Sequence, residues 1–250
     1  MKLATLKNGS RDGKLVVVSR DLTRYTDASF LVANLQAALD DWWRISPHLA
    51  ALAQSLEIGA VPSARFHEHD AHSPLPRTFE RLGGGDSIVG PRDAIELAGK
   101  TRDAKVEAAV GVIVADIAMA ASEAVARESV ALVVLCADTV LDGGLAGTSA
   151  LSPVAVTPDE LGSAWDGAVH LPLLAGARTV ASTGSTSFPQ LIAAAAAGRP
   201  LTAGAVVRGQ VETLSVSLGD TVRIEMKDKA GHSVFGAVER LVGRFEQPLP

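Results

Sequence analysis

The chain has 250 residues, 47% hydrophobic and 20% charged, with a formal net charge of −5. That length supports one large domain or two small ones around a sizeable core, and the composition is that of an ordinary globular protein. The acidic balance, with no Lys/Arg run beyond two residues, argues against nucleic acid or an anionic membrane as partner. The single cysteine, Cys136, excludes an internal disulfide and any multi-cysteine zinc site. Lying in "ALVVLCAD", it reads as a buried, inert thiol. The N-terminal stretch lacks the apolar core of a signal peptide, and no apolar run is long enough to span a bilayer. The expectation is a cytoplasmic protein.

In chain order, "LATL" and "KLVVVS" read as two strands joined by "NGSRDG", whose Asn8-Gly9 and Asp12-Gly13 are hairpin-turn signals. Apolar residues at helical spacing predict a helix over about 29–43. A second helix is predicted in "SPHLAALAQSLE", with Ser46 as N-cap and Pro47 at the first helical position. The Pro-, His- and charge-rich stretch about 60–73 reads as a linker, dividing an N-terminal α+β unit (1–73) from a second domain (74–250).

Beyond it, "KVEAAVGVIVAD" is a strand. Val106, Ala108, Val110, Val112 and Val114 share one face, and Ala109, Gly111, Ile113 and Ala115 the other. "SEAVARESV" is a short helix capped by Ser122, and "ALVVLCAD" a further strand. "VTPDELG" has the form of a capping box, with Thr157 as N-cap. "SFPQLIAAAAAG" is a helix ended by Gly198, and "AGAVV" a strand. "LGDTVRIEMKDKAGHSVFGAVERLV" is a closing hairpin that turns at "DKAG". Many short strands and few helices predict an α+β, β-rich protein built on a mixed sheet or barrel.

Three clusters invite chemistry. His67, Glu68, His69, Asp70 and His72 carry metal-ligand types, but their spacing in a Pro-flanked segment fixes no geometry, so they read as a solvated linker. "LGGGDS" and "LDGGLAG" lack the Lys-Ser/Thr of a phosphate-binding loop and read as turns. Glu107 and Asp138 are carboxylates in adjacent apolar strands. Two such groups repel each other unless a cation sits between them. Within the second domain, this pair alone hints at a metal site.

The chain resembles the fumarylacetoacetate hydrolase family. The resemblance is carried by "MKLATLKNGSRDGKLVVVSRDL", the helix "LQAALDDWW", "PLPR", "GPRDAIELAG", "LSPVAVTPDELG", "FPQLIA" and "GDTVRIEMKDKAGHSVFGAV", in family order. It implies a small N-terminal domain, then a β-rich roll that usually forms homodimers. Activity in the family is divalent-metal-dependent cleavage or decarboxylation of β-diketo and related acids. Its Mg²⁺, Mn²⁺ or Ca²⁺ is held by a Glu-x-Glu pair and a later Asp.

Here the first Glu is Glu107 and the later Asp is Asp138, while Ala109 stands at the second Glu. The family's Arg four residues past the Asp is Asp142, Ala146 falls where its Lys would be, and Gln210 replaces its Thr. Only "TFER" remains where the family's base-bearing helix would lie. The resemblance therefore implies a shortened member with a degraded site, non-catalytic, acting as a partner subunit or a binder of small carboxylates. Glu107 and Asp138 would hold Mg²⁺ or Mn²⁺ weakly at most. Its dimers would be homodimers, or heterodimers with an active paralogue. The alternative is a metal-dependent C–C hydrolase or decarboxylase that uses Glu107, Asp138 and water. A third reading places metal-free chemistry on Asp142, Arg208, Gln210 and Glu212.

Overall fold

A computed structural model describes residues 1–78, 80–85, 87–176, 178–180 and 186–245. The N-terminal hairpin forms where the turn residues place it. Strand β1 (Lys2–Leu6) pairs antiparallel with β2 (Lys14–Val18), from Lys2 opposite Val18 to Leu6 opposite Lys14. Gly13 has φ +63°, and a Cβ there would lie 2.4 Å from Thr5 Cγ2, so the turn requires glycine. β3 (Arg24–Asp27) extends the sheet to β4 (Ala64–Arg65), and β5 (Ala71–His72) adds to β1.

The helices between them depart from expectation. α1 is short (Leu35–Leu39) and starts where the Asn34 side chain accepts from the Ala37 amide. α2 (Trp42–Glu57) begins four residues before Ser46 and carries Pro47 in its interior. Its buried residues, Trp42, Ile45, Leu49, Leu52 and Leu56, recur every three or four positions across the proline. Burying each such side chain contributes about 1.5–3 kcal/mol. That continuous stripe outweighs the one backbone hydrogen bond a proline removes.

The second part of the chain carries β6 (Arg81–Leu82), β7 (Ser87–Val89), β8 (Ile95–Leu97), β9 (Asp103–Val114), α3 (Glu123–Glu128), β10 (Val130–Val140), β11 (Ala146–Leu151) and β12 (Ala155–Val156). It continues with β13 (Leu173–Ala175), β14 (Arg178–Val180), α4 (Phe188–Ala195), β15 (Val206–Ser217), β16 (Thr221–Met226) and β17 (Val238–Arg244). The Ser122 hydroxyl caps α3 as expected. Thr157 does not cap: a short 3-10 stretch follows it, and its Oγ1 instead accepts from the Met1 amine at 2.6 Å.

The larger sheet runs β4-β3-β2-β1-β12-β10-β9-β15-β6, with β11 and β7 branching from β10. The smaller runs β14-β13-β16-β17-β8. β6, β7 and β8 each pair in parallel and the rest pair antiparallel, which makes the mixed, β-rich fold expected from sequence. The two faces of β9 divide as its alternation predicts: Val106 to Val114 pack into one core cluster, Ala109, Ile113 and Ala115 into the other. Arg240 of β17, buried, joins the two sheets by donating to Thr139 Oγ1 and Thr148 Oγ1 as well as the Asp93 and Ala94 carbonyls. Burial pulls its pKa down to about 10, against the nearby Asp93 and Asp138 charges that raise it. Among the described residues, no helix is long and apolar enough to cross a membrane.

Candidate functional site

The site lies where β9, β10, β15 and β6 run side by side. In the β9–β10 ladder Asp138 is directly opposite Glu107. Directly opposed residues project to the same face, with Cβ atoms about 4.5–5.5 Å apart, so two carboxylates share one small space. Asp138 is 1% exposed and Glu107 26%.

The cation between them comes from β15. A bulge between Arg208 and Val211 gives that strand one residue more than β9, which re-aims Arg208. Its Nη1 donates to Glu107 Oε2 at 2.7 Å and to Asp138 Oδ2 at 2.6 Å. Arg81 of β6, whose side chain is 2% exposed, donates from Nη2 to Asp138 Oδ1 at 2.8 Å. The result is an alternating chain, Glu107–Arg208–Asp138–Arg81, with no net charge. Burial lowers the Arg208 pKa, but hydrogen bonds and charge from the two carboxylates outweigh it and raise it overall.

The Gly-rich segment roofs this chain. Gly83 and Gly84 have φ +99° and +85°, in keeping with the turn expected from sequence. A Cβ on Gly84 would lie 2.6 Å from the Asp138 carboxylate, and one on Gly83 2.9 Å from Arg208 Nε. Only a backbone without side chains can approach so closely. Gly85 is fixed in turn by Ser149, whose Oγ accepts from the Gly85 amide and donates to its carbonyl. Cys136 is buried, as expected, and desolvation pushes its thiol up to about 12, so it carries no thiolate chemistry.

The residues present do not fit a divalent cation. Ala109, opposite Cys136 in the ladder, supplies no oxygen where the family's second Glu would be. Both remaining carboxylates bond to guanidinium groups, and a +2 ion between them would displace or face Arg208. Among the described residues, no group of three or more His, Cys, Asp or Glu side chains is placed to hold a metal. That includes the His67–His72 cluster, where Glu68 pairs with Arg92 and His72 Nδ1 accepts from the Ser73 amide.

Of the other sequence candidates, Arg208 joins the site. Glu212 is opposite Ala108, so it projects to the face away from Glu107. The Gln210 amide donates to Thr186 Oγ1. The Asp142 side chain lies outside the described part. Sequence reasoning missed Arg81 altogether. The available signal was a cation two residues before a triple glycine, within reach of a buried acid.

The first 77 residues match the family described as "Fumarylacetoacetase N-terminal domain 2". No curated protein matches the chain in sequence. Its fold is that of solved structures across nearly the whole length. A maleylpyruvate hydrolase from Sphingobium sp. SYK-6, solved in complex with manganese(II) ion and pyruvate, superposes with TM-score 0.74 at 17% identity. The match covers 98% of this chain and 100% of that one. A putative HpcE protein from Mycobacterium smegmatis gives 0.73 at 18%, with the same coverage of both chains. The fumarylacetoacetate hydrolase of Exiguobacterium antarcticum gives 0.67 at 16%, again covering 98% and 100%.

Proposed function

We propose, for a chain that opens with a fumarylacetoacetase N-terminal domain and takes the fold of fumarylacetoacetate hydrolase family structures, a metal-independent and non-catalytic role. The observation that carries this reading is the position of Arg208 Nη1, bonded to both carboxylates that the family pattern would give to a metal. A guanidinium neutralises two carboxylates, but it has no vacant coordination position. It can neither polarise a ketone oxygen as a Lewis acid nor lower the pKa of a bound water. Hydrolysis of a diketo acid also needs a positioned general base. Only "TFER" lies where the family would supply that base, and its one carboxylate, Glu80, is paired with Arg199.

What remains is a stable scaffold whose role is binding, either as a partner subunit in a homodimer or paired with an active paralogue, or as a receptor for a small carboxylate. The competing reading is a divalent-metal-dependent hydrolase or decarboxylase, favoured by the manganese and pyruvate of the Sphingobium structure. The test is turnover of maleylpyruvate, fumarylpyruvate and fumarylacetoacetate with saturating Mn²⁺ or Mg²⁺. The expected result is no rate above buffer with metal. Turnover abolished by Glu107→Ala and by chelator would overturn the proposal.

A further inference from the structure

Strand β15 is 12 residues long, and one of its sides pairs with β9 along nearly all of that length. Its other side pairs with β6 at Val206 and Val207. From the bulge onward, that second side has no partner strand among the described residues. The alternation of an antiparallel ladder decides which groups point to it. The Leu218 amide donates to the Arg102 carbonyl, so Val216, Leu214 and Glu212 also turn their main-chain groups toward β9. Val211, Thr213, Ser215 and Ser217 turn theirs outward. The two ends of this edge are closed locally. The Gln210 amide donates to Thr186 Oγ1, and the Ser217 amide to Asp220 Oδ2. Between them, the outward N–H and C=O groups of Thr213 and Ser215 face no other strand among the described residues.

Native sheets guard such an edge with proline, lysine, a bulge or a very short strand. The stretch 211–217, "VETLSVS", holds neither proline nor lysine, and the bulge lies before it. Its Val, Thr and Leu residues suit strand pairing, and its one charge is Glu212. Thr213 and Ser215 are exposed.

From this edge we infer that two copies of the chain associate, β15 against β15, antiparallel across a twofold axis at Leu214. Adding a strand to an open edge is a general mode of recognition, and a twofold uses the same patch on both copies. The stretch is self-complementary in that register. Thr213 lies opposite the partner's Ser215, and their outward main-chain groups bond. Leu214 meets the partner's Leu214 at a position without main-chain bonds, where side chains come closest. Glu212 lies opposite the partner's Val216, so no like charges are opposed. Apolar surface at the same end of the strand adds to the contact: Leu218 is exposed, and β17, bonded to the turn at Gly219 and Asp220, exposes Leu241 and Phe245. The inference rests on β15 and not on the chemistry of the Glu107–Asp138 cluster. It gives the proposed homodimer a surface and a register.

Sedimentation velocity on the intact protein tests this. Wild type should sediment at twice the chain mass at about 10 µM. Ser215→Pro removes an outward N–H and leaves the β9 ladder intact. It should weaken association by about ten-fold or more, one bond being lost from each copy, with circular dichroism unchanged. Leu214→Cys keeps the test decisive if the proline variant does not fold. With oxidised glutathione it should form a disulfide-linked dimer on a non-reducing gel, while wild type, whose Cys136 is buried, should not. Wild type that stays monomeric, a dimer unchanged by Ser215→Pro, or Leu214→Cys chains that do not link would each overturn the inference. Turnover with metal tests the non-catalytic role separately, so the two can fail independently.

Discussion

Two buried cations in this molecule are handled in opposite ways. Arg208 lies between two carboxylates, with the charge of Arg81 completing a neutral chain. Lys2 is held by main-chain carbonyls alone and borders a cavity. A low-dielectric interior raises the cost of a charge, and it also strengthens any matching charge placed beside it. The first region balances its charges internally under Gly83 and Gly84, while Arg81 Nε and Nη1 have no hydrogen-bond partner among the described residues. The second meets it with carbonyl dipoles and with the carboxylates of Glu160 and Asp228 that line the same cavity. The difference separates a charge chain closed on itself from an ammonium held by main-chain carbonyls beside a cavity.

Substitutions that remove each cation sharpen the contrast. Arg208→Met leaves Glu107 and the buried Asp138 directly opposed with only Arg81 near them. It should cost about 3–5 kcal/mol, the usual loss when one partner of a buried pair is removed, measured by urea unfolding. Gly84→Ala should come next, costing more than the about 1–2 kcal/mol of a left-handed alanine, because its Cβ would press on the Asp138 carboxylate. Gly143→Ala is its control, with a similar φ of +78° but open space around the Cβ, and should show the left-handed cost alone. Lys2→Met should stay within about 1 kcal/mol of wild type, since it removes a desolvated charge that no carboxylate bonds directly. If Lys2→Met cost as much as Arg208→Met, the proposed asymmetry between the regions would be wrong.

The smallest effect is in the pH profile. Desolvation lowers the Lys2 pKa, against the opposing charges of Glu160, Asp228 and Glu57. Between its lowered folded value and its ordinary value of 10.5, the unfolded chain binds more protons. Stability contributed by this residue therefore rises with pH across that window and is flat below it. Wild type should gain slightly on Lys2→Met as pH rises toward 10.5, read from paired unfolding curves. A relative loss over that range would contradict the burial argument.

Much of the fold was legible in the sequence because its signals are local. The Asn8-Gly9 and Asp12-Gly13 turns, the alternation along β9 and the Ser122 cap each depend on neighbours a few residues away. Pro47 misled for the same reason. Its local preference for a helix start is overridden by a burial stripe that only the packed helix reveals. Glu107 and Asp138 were picked out as buried acids in apolar strands, but their partner was not. Arg208 is 101 residues from Glu107 and is turned toward it by a bulge that leaves no composition signal. Arg81 reaches Asp138 through the parallel β6–β15 pairing, which no short window of sequence encodes. The Lys2 cavity, assembled from four separate segments, was invisible for the same reason.

The most direct test of the central claim is calorimetric titration of Mn²⁺ into chelator-treated wild type and Arg208→Ala, side by side. If the guanidinium stands where the family places its metal, wild type should give no heat of binding. The variant, with Glu107 and Asp138 freed toward each other, should gain a measurable Mn²⁺ site and be stabilised by the ion. Micromolar binding to wild type, lost on Glu107→Ala, would mean that Arg208 yields to a metal, and the non-catalytic reading would fall.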